Sequence, residues 1–215
     1  MRYNILIIAI VLLFAGCETK FDDMSQFLQW ANEPDNGLVK ERTINGYKIR
    51  IKYLPAEYLV SQELSYQTTY SQNEIDSLYS YYSNSRTFLL SISHPTESAA
   101  EPDMLISSSN DYADYAGKYL ALSFGLQSYI YINGDEKTYP PVLATMEQTT
   151  SVNAGRNFFI VFADVDETDE LFNEDILDIV FDDEIFNTGI SHYRFTKKDI
   201  DNLPDFRFLK ITKEL

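Results

Sequence analysis

The sequence predicts an α+β fold: a single β-rich domain, mainly antiparallel sheet with a few packed helices. Three observations carry that expectation. Residues 47–53 alternate apolar and charged side chains directly after Asn45-Gly46, the pair favoured in two-residue hairpins because both turn positions take positive φ. Residues 157–163 and 176–181 are apolar on both faces, as in strands covered from two sides. Residues 73–82 and 111–124 repeat apolar side chains every three or four positions, the period of amphipathic helices.

In order along the chain, a first helix is expected over 24–31, where Phe27, Leu28 and Trp30 offer an apolar edge. Glu33-Pro34-Asp35-Asn36-Gly37 breaks it. The hairpin follows, with strands over 38–44 and 47–53. Tyr47, Ile49, Ile51 and Tyr53 alternate with Lys48, Arg50 and Lys52, and closing the turn sets Glu41 opposite Arg50, a favourable cross-strand pair. Residues 55–64 read as a helix with Pro55 in its first turn. Asn73 is placed to cap a helix through Tyr82, bringing Ile75, Leu78, Tyr79 and Tyr82 to one side. A strand over 86–93 and a loop over 94–103 come next. The helix over 111–124 turns Tyr112, Ala113, Ala116, Tyr119, Leu120 and Phe124 to one face.

From residue 126 onward the texture is one of successive strands. Segments 128–132 and 142–147 flank a turn containing Asn133-Gly134-Asp135, and the two apolar segments at 157–163 and 176–181 are central strands. Segments 191–195 and 208–212 add two more, with 197–204 as a helical or turn excursion. The switch near 125 is where a subdivision would fall, but no Pro/Gly/Ser linker marks it. One domain over 24–215, helices packed on a sheet, is the preferred organisation.

The start of the chain has a different character. Arg2 precedes an apolar run from Ile5 to Leu13, then Phe14-Ala15-Gly16-Cys17. The run is too short to span a bilayer and suits the apolar region of an export signal. Cys17 is the single cysteine among 215 residues and sits where such a signal is cut. Residues 1–17 resemble the signal peptide and lipobox of bacterial lipoproteins. The resemblance implies removal of residues 1–16 and a diacylglycerol thioether on Cys17, with acylation, for example by palmitate, of its new amino end. Residues 17–23 would then be a lipidated tether. Two or more acyl chains anchor stably, each buried methylene contributing about 0.8 kcal/mol. Glu18 in place of Asp, and Lys20-Phe21-Asp22-Asp23, resemble the sorting signals of outer-membrane lipoproteins, periplasmic or surface-exposed. From Trp30-x3-Pro34 through Asn36-Gly37-Leu38 to Tyr53-Leu54-Pro55, the chain also looks like exported lipoproteins of unassigned function.

Composition narrows the function classes. The formal net charge of −16 repels phosphates, so no nucleic-acid partner is expected. Sixteen Tyr and 14 Phe supply a packed core and argue against disorder. With Cys17 lipidated, no thiol remains for disulfide, metal or redox work, and no cofactor is expected.

Candidate sites are few. His94 and His192 are the only histidines; neither has metal-site spacing, and no Gly-x-Ser-x-Gly turn presents a nucleophile. Asp164, Asp166 and Asp169 lie in the densest acidic stretch, a weak Ca²⁺ candidate. Thr168 continues the alternation of Asp164 and Asp166, but Asp169 stands where an EF-hand loop needs Gly, and Asp175 where it needs Glu. Asp182, Asp183 and Glu184 follow a strand, where catalytic acids sit and where acidic turns also end strands. Lys48, Arg50 and Lys52, with Lys40 and Arg42 nearby, concentrate basic charge: a solvated edge hairpin, or a dock for an acidic partner or for headgroups near the tether. Tyr66, Tyr70, Tyr79 and Tyr81 belong to a Tyr-rich stretch that suits either packing or recognition.

The expected function is a non-enzymatic, membrane-anchored envelope lipoprotein that binds another protein or supports an envelope assembly. The alternatives are a glycan- or peptide-capture module using surface aromatics, and an acid-based hydrolase.

Overall fold

The turn at Asn45-Gly46 sets the register on which the larger sheet is built. In a computed structural model describing residues 20–21, 23–95, 103–134, 137–147, 155–164, 171–201 and 203–206, Asn45 and Gly46 have φ of 50° and 81°. These are the left-handed values a type I′ turn requires. Strand β2 (Val39–Ile44) therefore pairs with β3 (Tyr47–Leu54) from Ile44↔Tyr47 to Val39↔Lys52, and Glu41 faces Arg50 as expected.

Strand β4 (Arg86–Ser93) adds to β3 with Ile51 opposite Leu90, and β8 (Arg156–Phe162) adds to β4 with Leu90 opposite Phe158. With β7 (Leu143–Met146) the antiparallel order is β2-β3-β4-β8-β7. A period of two sends Ile49, Ile51, Tyr53, Phe88, Leu90, Ile92, Phe158, Ile160 and Phe162 to one face, where all are buried.

A second antiparallel sheet, ordered β10-β9-β5-β6, packs against that face. It contains β5 (Ile130–Asn133), β6 (Thr138–Tyr139), β9 (Ile176–Asp183) and β10 (Gly189–Thr196). Phe88 meets Phe195 at 5.1 Å between ring centroids, Phe162 at 6.0 Å and Tyr53 at 5.4 Å. Offset and edge-on rings at such spacings add to the burial of their area. Because β7 and β8 join β2–β4 in one sheet, residues on both sides of 125 share one core. The fold is the expected α+β arrangement, with sheet on sheet at its centre.

Helix α1 (Met24–Asn32) is capped by Asp23, whose carboxylate accepts from the Gln26 amide, and it buries Phe27 and Ala31. Helices α2 (Ala56–Leu64) and α3 (Gln72–Ser83) form a hairpin between β3 and β4 around Val60, Leu64 and Ile75. Asn73 is not the cap of α3. Ser71 and Glu74 form a capping box, a Ser-x-x-Glu pattern that satisfies two amides reciprocally. Short helix α4 (Met104–Ser107) is capped by Asp103, which also pairs with Arg156 in the interior. Helix α6 (Lys197–Asp201) follows β10, and β1 (Lys20–Phe21) pairs in parallel with β11 (Asp205–Phe206).

Two further expectations are corrected. Segments 128–132 and 142–147 do not pair: β5 turns back to β6, and β7 lies in the other sheet. Pro140-Pro141 between them donate no backbone hydrogen bond, so the ladder ends there and the chain crosses over. Helix α5 (Tyr112–Leu120), prolonged by a π-helical turn over Ala121–Gly125, has its apolar stripe outward. Tyr112 and Phe124 are 83% and 74% exposed, and Leu122 and Leu126 make the buried contacts instead. Tyr112, Tyr115 and Tyr119 stack at 6.4 and 6.3 Å along the helix. The strand expected over 208–212 lies outside the described residues.

Candidate functional site

Strands β2 and β10 each end their sheet, and the sandwich brings these two edges side by side. Between them runs an open groove of about 590 Å³ lined by Pro34, Val39, Lys40, Glu41, Arg42, His192, Tyr193 and Arg194. Its chemistry follows from the register. Lys40 and Arg42 pair with Ile51 and Ile49 and so leave β2 on the core side, but at the rim of the sandwich they reach across to β10. The Lys40 ammonium sits 5.7 Å from the centre of the Phe195 ring and the Arg42 guanidinium 5.9 Å from that of Tyr193.

These are cation–π distances, and among the described residues neither cation has a carboxylate partner. Tyr193 is buried, which pushes its hydroxyl above the ordinary phenol range. It remains a neutral wall that shares a 3.3 Å hydrogen bond with Ser191. On the β10 side the charges are partly balanced. Asp178, nearly buried, faces Arg194 across the β9–β10 ladder. Its carboxylate lies 2.9 Å from His192 Nδ1 and 3.5 Å from Arg194 Nε. Asp178 holds both side chains against the sheet and leaves the outer part of the guanidinium in solvent. An edge strand bearing cations resists pairing with another copy.

The expected basic cluster on β3 is not one solvated patch. Lys48 is half-buried and bridges Glu41 at 3.2 Å, taking the partner that the register would give Arg50. Arg50 turns instead to the end of α1, where its Nη2 donates to Asn32 Oδ1 at 2.9 Å. Lys52 is only 8% exposed and donates to the same amide oxygen at 3.1 Å. The Arg50 Nε is buried and has no hydrogen-bond partner. Burial first, and the neighbouring Arg50 charge second, lower the Lys52 pKa to about 8.

The tyrosines expected as a recognition surface do not converge. Tyr66 and Tyr81 are exposed, Tyr79 donates to Glu57 at 3.1 Å, and Tyr70 packs into the small α2–α3 cluster. None of them lines the groove. His94 lies over Tyr47, and its Nε2 is 3.1 Å from Ser107 Oγ, a hydroxyl that also donates to the Met104 carbonyl. A serine already donating to its own helix is not poised as a nucleophile. Asp183 is a turn anchor: its carboxylate accepts from the amides of Ile185, Phe186 and Thr188 and from the Thr188 hydroxyl. Asp164 accepts from the Leu171 amide at 3.2 Å, while Asp166 and Asp169 lie outside the described residues, as does Cys17. Among the described residues no group of three potential metal ligands converges.

The sequence alone singles out Lys40, Arg42 and His192, the last without a partner, and gives no signal for Arg194 or Asn32. The alternation in β10 places His192 and Arg194 together on one face, but nothing local says that β10 ends a sheet beside β2.

Lys52 yields a stability prediction with a defined sign. Below about pH 8 it is charged both folded and unfolded, and its burial cost is fully present. Between 8 and its ordinary value of 10.5 the folded state is neutral while the unfolded chain still binds a proton. Stability from this group therefore rises with pH across that window. Burial raises Tyr53 to about 12, so its opposing contribution starts only above about pH 10. Lys52→Met should raise stability at pH 7 by about 1–3 kcal/mol and flatten the rise between pH 8 and 10 in urea titrations. Equal pH slopes for the two proteins would refute the assignment.

No protein-family model matches the chain, and no curated protein matches it. The chain is similar to the crystal structure of a novel protein of unknown function from Burkholderia pseudomallei K96243, with 13% identity over 83% of this chain and 88% of that one, at a TM-score of 0.41. A likeness of that size carries no argument for fold or function.

Proposed function

We propose that the chain is a non-enzymatic envelope lipoprotein, tethered through Cys17 to the outer membrane, that binds an acidic segment of a partner protein along the β2–β10 groove. The observation that carries the binding half is the state of Lys40 and Arg42. In a chain with 33 acidic residues, these two cations face aromatic rings rather than carboxylates at the mouth of a groove. Cation–π contact costs little to supplement, because the outer side of each cation stays available to an incoming carboxylate.

The tether half rests on residues 1–17 and on the resemblance they carry. Among the described residues no helix is long and apolar enough to cross a membrane. Attachment in this reading is the work of the acyl chains, and tethering raises the local concentration of the groove at the envelope surface.

Each half has its own test. Binding of a decaglutamate peptide to residues 18–215 should weaken roughly tenfold, about 1.4 kcal/mol, in Arg42→Glu. It should stay within about twofold in Lys137→Glu, which changes the net charge equally next to Tyr139 on β6, the opposite edge strand of that sheet. Equal losses in both variants would mean that net charge and not the groove governs binding. For the tether, mass spectrometry of protein purified from membranes should find an acylated amino-terminal Cys17. A free thiol at that position would contradict it.

A further inference from the structure

We propose that Arg50, Lys52 and Asn32 form a binding site for a small oxyanion, a carboxylate or a phosphate group, on the face of the larger sheet turned away from the core. This site goes beyond the groove reading and does not depend on it. Lys52 pairs with Val39 and Arg50 with Glu41 in the β2–β3 register, so both side chains leave β3 on the side opposite Ile49 and Ile51. There they meet the carboxy-terminal residue of α1 and share one neutral acceptor, Asn32 Oδ1, at 2.9 and 3.1 Å.

Two like charges aimed at a single amide oxygen are an unfavourable arrangement for a fold at rest. An amide oxygen offers only a partial charge, and like charges this close repel. The group on Arg50 that an oxyanion would use is also idle, since Nε and Nη2 form one edge of the guanidinium fork. Nη2 holds Asn32 and Nε, fully buried, holds nothing. The nearest acid in the register, Glu41, is engaged by Lys48. Among the described residues no carboxylate bonds to Arg50 or Lys52, in a chain whose net charge is −16.

Asn32 Oδ1 marks the place where the oxygen of a ligand would sit. Asn32 is exposed at the helix end, so its side chain can swing outward and vacate the point on which the Arg50 Nη2 and Lys52 Nζ donors converge. The incoming group would take one oxygen toward Lys52 Nζ and Arg50 Nη2 and a second toward Arg50 Nε. Ser91, directly opposite Arg50 on β4 and on the same face, adds a hydroxyl at the rim. No bond is made or broken; the gain is charge neutralisation of a buried Lys52 and a half-buried Arg50.

The test is the melting temperature of residues 18–215 at pH 7 and constant ionic strength, titrated with inorganic phosphate, with acetate, and with chloride as the reference. The wild type should rise by several degrees and saturate with phosphate, with acetate, or with both; the arm that responds identifies the class of ligand. Lys52→Met, which should fold more stably than wild type, should lose that saturable rise. Asn32→Ala should start lower than wild type and gain more from the anion, because the stand-in acceptor is gone. Binding of decaglutamate should be unchanged in Lys52→Met, so that failure here and failure of the groove reading are told apart. Identical curves in phosphate, acetate and chloride for the wild type would overturn the proposal. A response confined to Asn32→Ala would overturn it as well, since the amide would then be the permanent occupant. So would a rise that persists in Lys52→Met.

Discussion

The meeting of Phe88 and Phe195 is the contact on which the rest of the molecule depends. Phe88 is a central residue of the five-stranded sheet, Phe195 belongs to the edge strand of the four-stranded one, and their centroids are 5.1 Å apart. Neither sheet is a folding unit alone, because each leaves an apolar face that only the other covers. Docking the sheets through these rings fixes where β10 lies, beside β2. The same Phe195 ring that packs on Phe88 carries Lys40 across it, so core and groove share a wall. A substitution that disturbs the core at Phe195 therefore also disturbs the placement of the groove cations.

Electrostatics gives the groove a particular character. A chain of −16 repels an acidic partner at distances beyond the Debye length, and attraction from Lys40, Arg42 and Arg194 acts only at close range. Association would be slowed by the global field and held by the local one, the reverse of steering by a uniformly charged surface. In the proposed reading a lipid tether would supply the proximity that long-range electrostatics withholds. The site on the far side of β3 is built from the same hairpin, with alternate residues sent to opposite faces: Lys40 and Arg42 toward β10, Arg50 and Lys52 toward Asn32.

What could be read in advance follows a physical boundary between local and non-local determinants. The hairpin was legible because Asn45-Gly46 fixes both turn angles, and the turn fixes the register and faces of β2 and β3. Strand β4 was legible as the segment Arg86–Ser93. The outward turn of the α5 stripe escapes such reading because periodicity reports amphipathicity, not which side the rest of the chain covers; Tyr112 and Phe124 stand in solvent, while Tyr115 packs against the core. The partner of β5 is not legible in advance because β6 is only two residues long and Pro140-Pro141 divert the chain before the next long apolar segment. The Ser71-x-x-Glu74 pattern carries the cap of α3, and Asn73 lies inside its first turn. Within the candidate site, Lys40 and Arg42 stood out as basic residues in an acidic chain. Their partners Tyr193 and Phe195 lie more than 150 positions away, and Asn32 carries no local mark of its contact with Arg50 and Lys52.

The most direct measurement of the central claim is amide hydrogen exchange on residues 18–215 with and without bound decaglutamate. If an acidic segment lies along the β2–β10 groove, exchange should slow within Val39–Ile44 and Gly189–Thr196 and stay unchanged in α3 and α5. Protection confined to the exposed aromatics of α5 or to the α2–α3 hairpin, with the two edge strands exchanging as before, would contradict it.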